Sequence, residues 1–403
     1  VVVVGGGPAG ASTAFALARA GVRVLVLDRA SFPRPKPCAE YLSPQASRLL
    51  HAMGALDAVE RAGAAHLAGM TVRAPNGATI RGDFVAAHGY SAFRDRGLAL
   101  RRMRLDPILL DCARAAGAEV REQTRVADVL RDPRGRAIGV RVLRADGASE
   151  DIRARLVVGA DGLRSVVGRR LDLSRTRRWP RRLALVAHYE QFGDMTAWGE
   201  MHVQRDVGYV GLAAVEHGLT NVAMVVPASA AQLVSADRTA FFERWLRDRP
   251  QLAPRVAGAR RVTPVLATGP FASHARRAWA PGAALVGDAA DFFDPFTGEG
   301  IYAALRGGEL LAPFALQALG ADARGADVAL AAYDRARRTE FSGKWLVERL
   351  ISSAVGFAPA INYFARTLEA RKDMADLLVG VTGDFVPARE VLRPGYLLNL
   401  FRP

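Results

Sequence analysis

Cysteine and lysine are almost missing from this chain of 403 residues. The two cysteines, Cys38 and Cys112, stand far apart. That excludes a disulfide scaffold and an iron–sulfur module carried on this chain. No C-x-x-C pair occurs, so a dithiol redox couple is not expected. Unpaired thiols fit a reducing, cytoplasmic setting. No apolar run reaches the roughly 18 residues that a membrane-spanning helix needs, and no secretory leader is visible. The chain opens on an apolar strand without Met, so a few residues are expected before Val1. Lysine occurs only at Lys36, Lys344 and Lys372, so the net charge of +15 is carried by arginine. Arginine and alanine are rich throughout, and no basic block interleaved with aromatics appears. The charge therefore reads as compositional bias, and nucleic-acid binding is not expected.

The N-terminus is the most informative stretch. Val1 to Val4 reads as a buried parallel strand. Gly5-Gly6-Gly7-Pro8-Ala9-Gly10 follows, then an apolar helix from Ala11 to Ala20, stopped by Gly21. A second strand, Val22 to Leu27, runs into Asp28 and Arg29. Glycines 5, 7 and 10 fit G-x-G-x-x-G in its strand–turn–helix setting. Gly5 allows the tight turn, Gly7 lets the backbone approach a pyrophosphate, and Gly10 lets helix and strand pack closely. The helix N-terminus offers N–H groups to the phosphates. Asp28 falls where an acid accepts from ribose hydroxyls. Pro8, Ala9 and Arg29 join this set of cofactor-binding residues. The patch indicates a dinucleotide without choosing between FAD and NAD.

Two later patches make that choice by resemblance. Val157-Val158-Gly159-Ala160-Asp161-Gly162, with Ser165 at a helix start, resembles the Asp-Gly motif of flavoprotein hydroxylases. Gly287-Asp288-Ala289-Ala290, continuing through Asp291-Phe292-Phe293-Asp294-Pro295-Phe296-Thr297-Gly298-Glu299-Gly300-Ile301, resembles their Gly-Asp motif. The resemblance implies non-covalent FAD. Asp161 and Gly162 would lie near its pyrophosphate, and Gly287 and Asp288 near its ribityl chain. Pro295, Gly298, Gly300 and Ile301 would lie at the isoalloxazine. A helix starting near Gly300 would aim its positive end at the reduced flavin. By the same resemblance Arg102, in Leu100-Arg101-Arg102-Met103-Arg104-Leu105-Asp106, would contact FAD, and Val126 would meet the adenine.

Pro35-Lys36-Pro37-Cys38-Ala39-Glu40-Tyr41-Leu42-Ser43 resembles a segment of geranylgeranyl reductases and menaquinone-reducing flavoproteins. Pro33, Lys36 and Cys38 match, and Ala39 replaces the usual glycine. The segment should pass the flavin ring and continue into a helix from Pro44 to Met53. Cys38 and Tyr41 are the catalytic candidates, with Glu40 a third proton donor. Cys38 is equally readable as a small apolar filler. The reductases' aromatic-x-Trp-x-Phe-Pro strand is absent: Gly208-Tyr209-Val210-Gly211-Leu212 stands there. The Trp-x-Trp-x-Ile-Pro of halogenases is absent too.

The expected fold is α/β: a Rossmann-like FAD-binding domain (1–65, 96–175 and 266–330), an antiparallel substrate domain (66–95 and 176–265) and a helical C-terminal region (331–403). Strands are expected at Leu183 to Glu190, Gly199 to Gln204, Gly208 to Val215 and Asn221 to Pro227. Tyr189, Trp198, His202, Tyr209 and Met224 are candidates to line the pocket beneath them. The apolar stretch Phe341 to Ile361 is expected to pack as helix, with peripheral membrane contact the other reading. There is no second nucleotide motif, so NAD(P)H is expected as a transient electron donor. The substrate is expected to be a hydrophobic small molecule. Because the reductase strand is degenerate, oxygenation of an aromatic or polyketide-like compound ranks first. Reduction of an isoprenoid or quinone C=C is the alternative, and electron transfer to a quinone or protein partner is third. No metal is expected.

Overall fold

Val2–Val4 lies at the centre of a six-stranded sheet because it is apolar on both faces, as a strand covered from both sides must be. Its neighbours are Leu25–Leu27 and Val157–Gly159, both parallel, with Val3 opposite Val26 and Val158. Glu119–Arg121 extends one edge and Ala283–Leu285 the other, where Trp279–Ala280 adds the one antiparallel pairing. This computed structural model describes all residues except 87, 88, 145, 146, 177–180, 207, 272, 293, 402 and 403. Position 293 of the Gly-Asp segment therefore lies outside the described residues.

The first helix spans Pro8–Arg19, starting before the expected Ala11. Proline's fixed φ and missing N–H suit the first helical position. Gly10 is obligatory there: a Cβ would stand 1.8 Å from the Gly5 carbonyl oxygen. The helix also packs on Gly300–Gly320, with Ser12 Oγ donating to the Leu305 carbonyl at 2.7 Å. Gly308 permits that approach, since a Cβ would meet Thr13 N at 2.6 Å. The expected second strand is paired only over Leu25–Leu27, and the helix after Ser43 runs Ala46–Ala52.

A larger, eight-stranded sheet forms the roof. Its long strands are Arg182–Glu190, Thr220–Pro227, Tyr209–Ala214 and Trp198–Val203, each within a residue of its sequence-based limits. These pair antiparallel in that order. Trp198–Val203 then pairs parallel with Gly69–Arg73, and Thr79–Asp83 closes the edge. The C-terminal helices Ala358–Glu369 and Lys372–Thr382 pack on that edge strand. The apolar stretch 341–361 is split: the helix Ala323–Val355 ends there and the next begins at Ala358. Val347, Val355 and Ile361 are buried, while Leu346, Leu350 and Phe357 are exposed. Among the described residues no helix is long and apolar enough to cross a membrane.

Candidate active site

One cavity of about 960 Å³ runs between the parallel sheet and the roof. Three distant parts of the chain meet in its walls because each leaves a parallel strand at the same sheet edge. Gly5, Gly7, Pro8 and Ala9 follow Val2–Val4. Asp161 and Gly162 follow Val157–Gly159. Gly287 and Asp288 follow Ala283–Leu285. Asp28, Arg29, Lys36, Cys38, Tyr41, Arg102, Val126, Pro295, Gly298, Gly300 and Ile301 line the same space. Gly10 does not: it lies behind the wall, where it sets the helix-to-strand distance.

The polar half is built for a long anionic ligand. The helices Pro8–Arg19 and Gly300–Gly320 both begin without a side-chain cap, and both first turns face the cavity. Their unpaired N–H groups and partial positive charge favour phosphate or an anionic ring. At Gly7 a Cβ would lie 3.6 Å from the guanidiniums of Arg34 and Arg102, so the bare backbone leaves room between cations and helix end. Arg102 is fixed by a bidentate pair with Asp106, at 2.6 and 2.8 Å. Arg34 joins Asp106 at 3.3 Å.

Asp28 accepts from Gly6 N at 2.7 Å and Ala30 N at 2.9 Å, one per oxygen. Each oxygen keeps a lone pair for a ribose hydroxyl. Asp161 turns inward instead: its Oδ2 caps the helix Val166–Arg170 through Val166 N at 2.6 Å, while Oδ1 stays buried without a partner. Burial pushes the Asp161 carboxyl up despite those bonds.

Asp288 and Lys36 face the cavity without a hydrogen-bond or ion-pair partner among the described residues. The Asp288 carboxyl accepts no hydrogen bond among the described residues, and burial pushes its pKa up against the pull of Lys36 and Arg102. Lys36 forms no hydrogen bond or ion pair there, and burial together with Arg102 pushes it down against Asp288. A half-buried acceptor and a half-buried cation facing the same cavity call for a ligand carrying hydroxyls and negative charge. FAD has both, and the residues present fit it. When bound, FAD supplies hydride transfer or oxygen activation.

The reductase-like segment forms the wall nearest the Gly298–Ile301 turn. A Cβ on Gly298 would lie 2.9 Å from Tyr41 Cδ1, so these two segments touch. Cys38 is a half-buried thiol whose pKa is raised by desolvation, although Arg102 opposes the rise. Its Sγ accepts from Glu40 N at 3.2 Å. Glu40 adopts φ 62°, unusual for a residue with a side chain. Glu40 Oε1 takes the N–H of Arg102 at 3.0 Å, and Oε2 takes Asn221 Nδ2 at 2.8 Å and faces His188 Nε2 at 2.7 Å.

The other half is apolar, with Met70, Val186, Leu212, Val225, Phe271 and Phe296 in its walls. Of the five pocket candidates in the roof, only Tyr209 lines it. Its hydroxyl donates to Asp294 at 2.6 Å. Tyr189 and Met224 face the opposite side of the sheet, with Phe192 and Phe242. Trp198 is turned to Asp83 and His202 to Glu200, each at 2.8 Å. Strand alternation decides this, and a sequence alone does not say which face is inside. Sequence reasoning also missed Glu348, which reaches the cavity from the helix Ala323–Val355. The signal was there: Lys344 and Glu348, four apart, interrupt an apolar stretch.

A doubly covered parallel sheet, two helix ends aimed at one elongated cavity and an apolar roof define a flavin-dependent oxidoreductase, an enzyme of the Rossmann-like class. The chain belongs to the family described as "FAD binding domain", whose sequence profile matches residues 1–341. It is similar to digeranylgeranylglycerophospholipid reductase 2 of Methanopyrus kandleri, with 32% identity covering 96% of this chain and 93% of that protein. Among solved structures it resembles the myxobacterial chondrochloren halogenase, with TM-score 0.78, 27% identity, and 88% and 82% of the two chains covered. It also resembles PqsL of P. aeruginosa in complex with 2-aminobenzoylacetate, with TM-score 0.68, 26% identity, and 93% and 97% covered.

Proposed function

We propose that the protein is an FAD-dependent reductase that saturates a carbon–carbon double bond in an isoprenoid chain or quinone side chain. The observation that carries this reading is the position of the Lys36–Tyr41 segment. Cys38 and Tyr41 both line the cavity, and Tyr41 touches the turn assigned to the flavin ring. The end-to-end similarity to an archaeal prenyl-lipid reductase supports the same reading.

Under it, Gly5, Gly7, Pro8, Ala9, Asp28, Arg29 and Val126 hold the adenosine and pyrophosphate. Arg102, Gly162, Gly287 and Asp288 hold the middle of the cofactor, and Pro295, Gly298, Gly300 and Ile301 face its ring. Lys36 balances its negative charge. Asp161 acts at one remove, by fixing the Val166–Arg170 helix. The apolar roof excludes water and accepts a hydrophobic chain. NAD(P)H is the electron donor, bound transiently at the cavity mouth, and the protein works in the cytoplasm.

Anaerobic incubation with NADPH and a geranylgeranyl lipid or menaquinone tests the reading. The expected product gains H₂ per double bond. No product without oxygen, together with a hydroxylated product in air, would overturn it. That second outcome is the oxygenase reading, which is favoured by one observation: the strand Tyr209–Ala214 lacks the tryptophan and proline typical of the reductases.

A further inference from the structure

A group of acids stands where the apolar end of the cavity meets the C-terminal helix. Glu299 immediately precedes the Gly300–Gly320 helix and lines the cavity. Glu348 reaches the same wall from the helix Ala323–Val355, and its carboxyl meets that of Glu299. Lys344, one turn before Glu348, pairs with Glu299 at 2.8 Å and also with Asp384. Asp294 lies nearby but is taken by Arg182 and Tyr209, each at 2.6 Å. On the other side of Glu299, Tyr41 Oη is buried in the cavity wall with no hydrogen-bond partner.

Charge counting gives the protonation state. Three carboxyls, Glu299, Glu348 and Asp384, surround one ammonium, Lys344. Ionising all three would crowd like charges around that single ammonium, which favours keeping a proton on one carboxyl. Lys344 is engaged with Glu299 and Asp384, so the proton stays on the Glu348 side of the shared hydrogen bond. Burial, then the adjacent Glu299 charge, push Glu348 well above the usual carboxylate range.

We propose that Glu348, sharing a proton with Glu299, is the acid that protonates the substrate during double-bond reduction. The proposal rests on the reductase reading above. Saturating a C=C needs a hydride at one carbon and a proton at the other, and the hydride comes from the reduced flavin. Glu348 gives the proton: its O–H bond breaks, and the alkene's π pair becomes the C–H bond to that proton, while the hydride brings its own pair for the other C–H bond. The carboxylate left behind faces Lys344 and regains its proton from solvent before the next turnover. Glu299 is a positioning residue that holds the proton on Glu348.

The test combines spectroscopy with anaerobic kinetics on the FAD-loaded full chain. Infrared spectra at neutral pH are expected to show a protonated-carboxyl C=O band that shifts in D₂O and is lost in Glu348→Gln. In the same variant kcat should fall by on the order of 100-fold or more with KM little changed. The wild-type kcat should fall as pH rises through the carboxyl's titration, a limb missing from Glu348→Gln. Glu299→Gln, which leaves the donor but removes the neighbouring charge, should move that limb to lower pH. A wild-type minus Glu348→Gln difference spectrum with no protonated-carboxyl band, or a Glu348→Gln enzyme as fast as wild type without oxygen, overturns the donor role alone. A wild type that turns over only with oxygen overturns the reductase reading and the donor role together.

Discussion

Glu40 Oε2 stands 2.7 Å from His188 Nε2, across the boundary between the two sheets. With Asn221 bonded to Glu40 and to the Cys38 carbonyl, at 2.8 and 2.9 Å, this contact ties the Lys36–Tyr41 segment to the roof. Glu40→Ala would leave the Arg102 N–H, the Asn221 amide and His188 without their shared acceptor. Unpaired buried donors cost roughly 1–3 kcal/mol each. Denaturant unfolding should show a loss of about 3 kcal/mol, with flavin retained less well on a desalting column. Unchanged stability and flavin content would separate this contact from both roles.

Gly10→Ala places a methyl group against the Gly5 carbonyl oxygen, where 1.8 Å is available. The clash is with backbone and cannot be relieved by rotating a side chain. The helix must move off the strand, and the pyrophosphate end of the cavity moves with it. Overpacking of this kind costs roughly 1–3 kcal/mol. The variant should be purified nearly colourless and melt earlier; a yellow protein with wild-type flavin occupancy would contradict the close packing.

Lys36→Met removes a half-buried cation that has no hydrogen-bond or ion-pair partner among the described residues. In the flavin-free protein the substitution should raise thermal stability at neutral pH, because the desolvation cost disappears. With FAD present the sign should reverse, as the variant loses the charge facing the cofactor. The pH dependence follows from the lowered pKa of Lys36. The folded apo-protein binds that proton less tightly than the unfolded chain, so the gain from the substitution is largest at neutral pH and fades as pH rises toward the ordinary lysine value. Differential scanning calorimetry with and without FAD reads both signs.

Glu200 supplies the clearest acid-side signal. Burial pushes its pKa up, but hydrogen bonds from His202 and Arg255 outweigh burial and bring it to about 2. A depressed carboxylate stabilises the fold above its unfolded pKa, and that contribution is lost as pH falls through the folded value. Glu200→Gln leaves Arg255, bonded to Glu200 at 2.6 Å, without its counter-charge. The expected loss is about 3 kcal/mol at neutral pH. The gap between wild type and variant should close between the ordinary glutamate range and pH of about 2. Urea titrations at several pH values measure it.

The parts legible in the sequence were those in which one local constraint fixes the residue type. The four valines before Gly5 could only be an internal parallel strand, and Gly10 could only be glycine. Lys36 and Cys38 stood out as rare residue types in a marked context. The four long roof strands were legible through turn residues at their ends. Their inner faces were not: Tyr189, Trp198, His202 and Met224 belong to apolar or polar clusters away from the cavity, and only Tyr209 faces in. Asp161 carried a recognisable motif, yet its carboxylate caps a helix beside the cavity.

By itself the sequence determined the nucleotide-binding strand, turn and helix, because hydrogen bonding and steric limits act over a few neighbouring residues. It also determined the order of the three glycine-bearing segments that the parallel sheet gathers at one edge. Only the tertiary structure decided which charges are left without partners. Lys36 and Asp288 face the cavity together, Glu40 finds His188 from another sheet, and Glu348 meets Glu299 from a helix at the far end of the chain. Burial and ion pairing depend on contacts between distant segments, and no local pattern encodes whether a carboxylate will meet an arginine, another carboxylate or nothing.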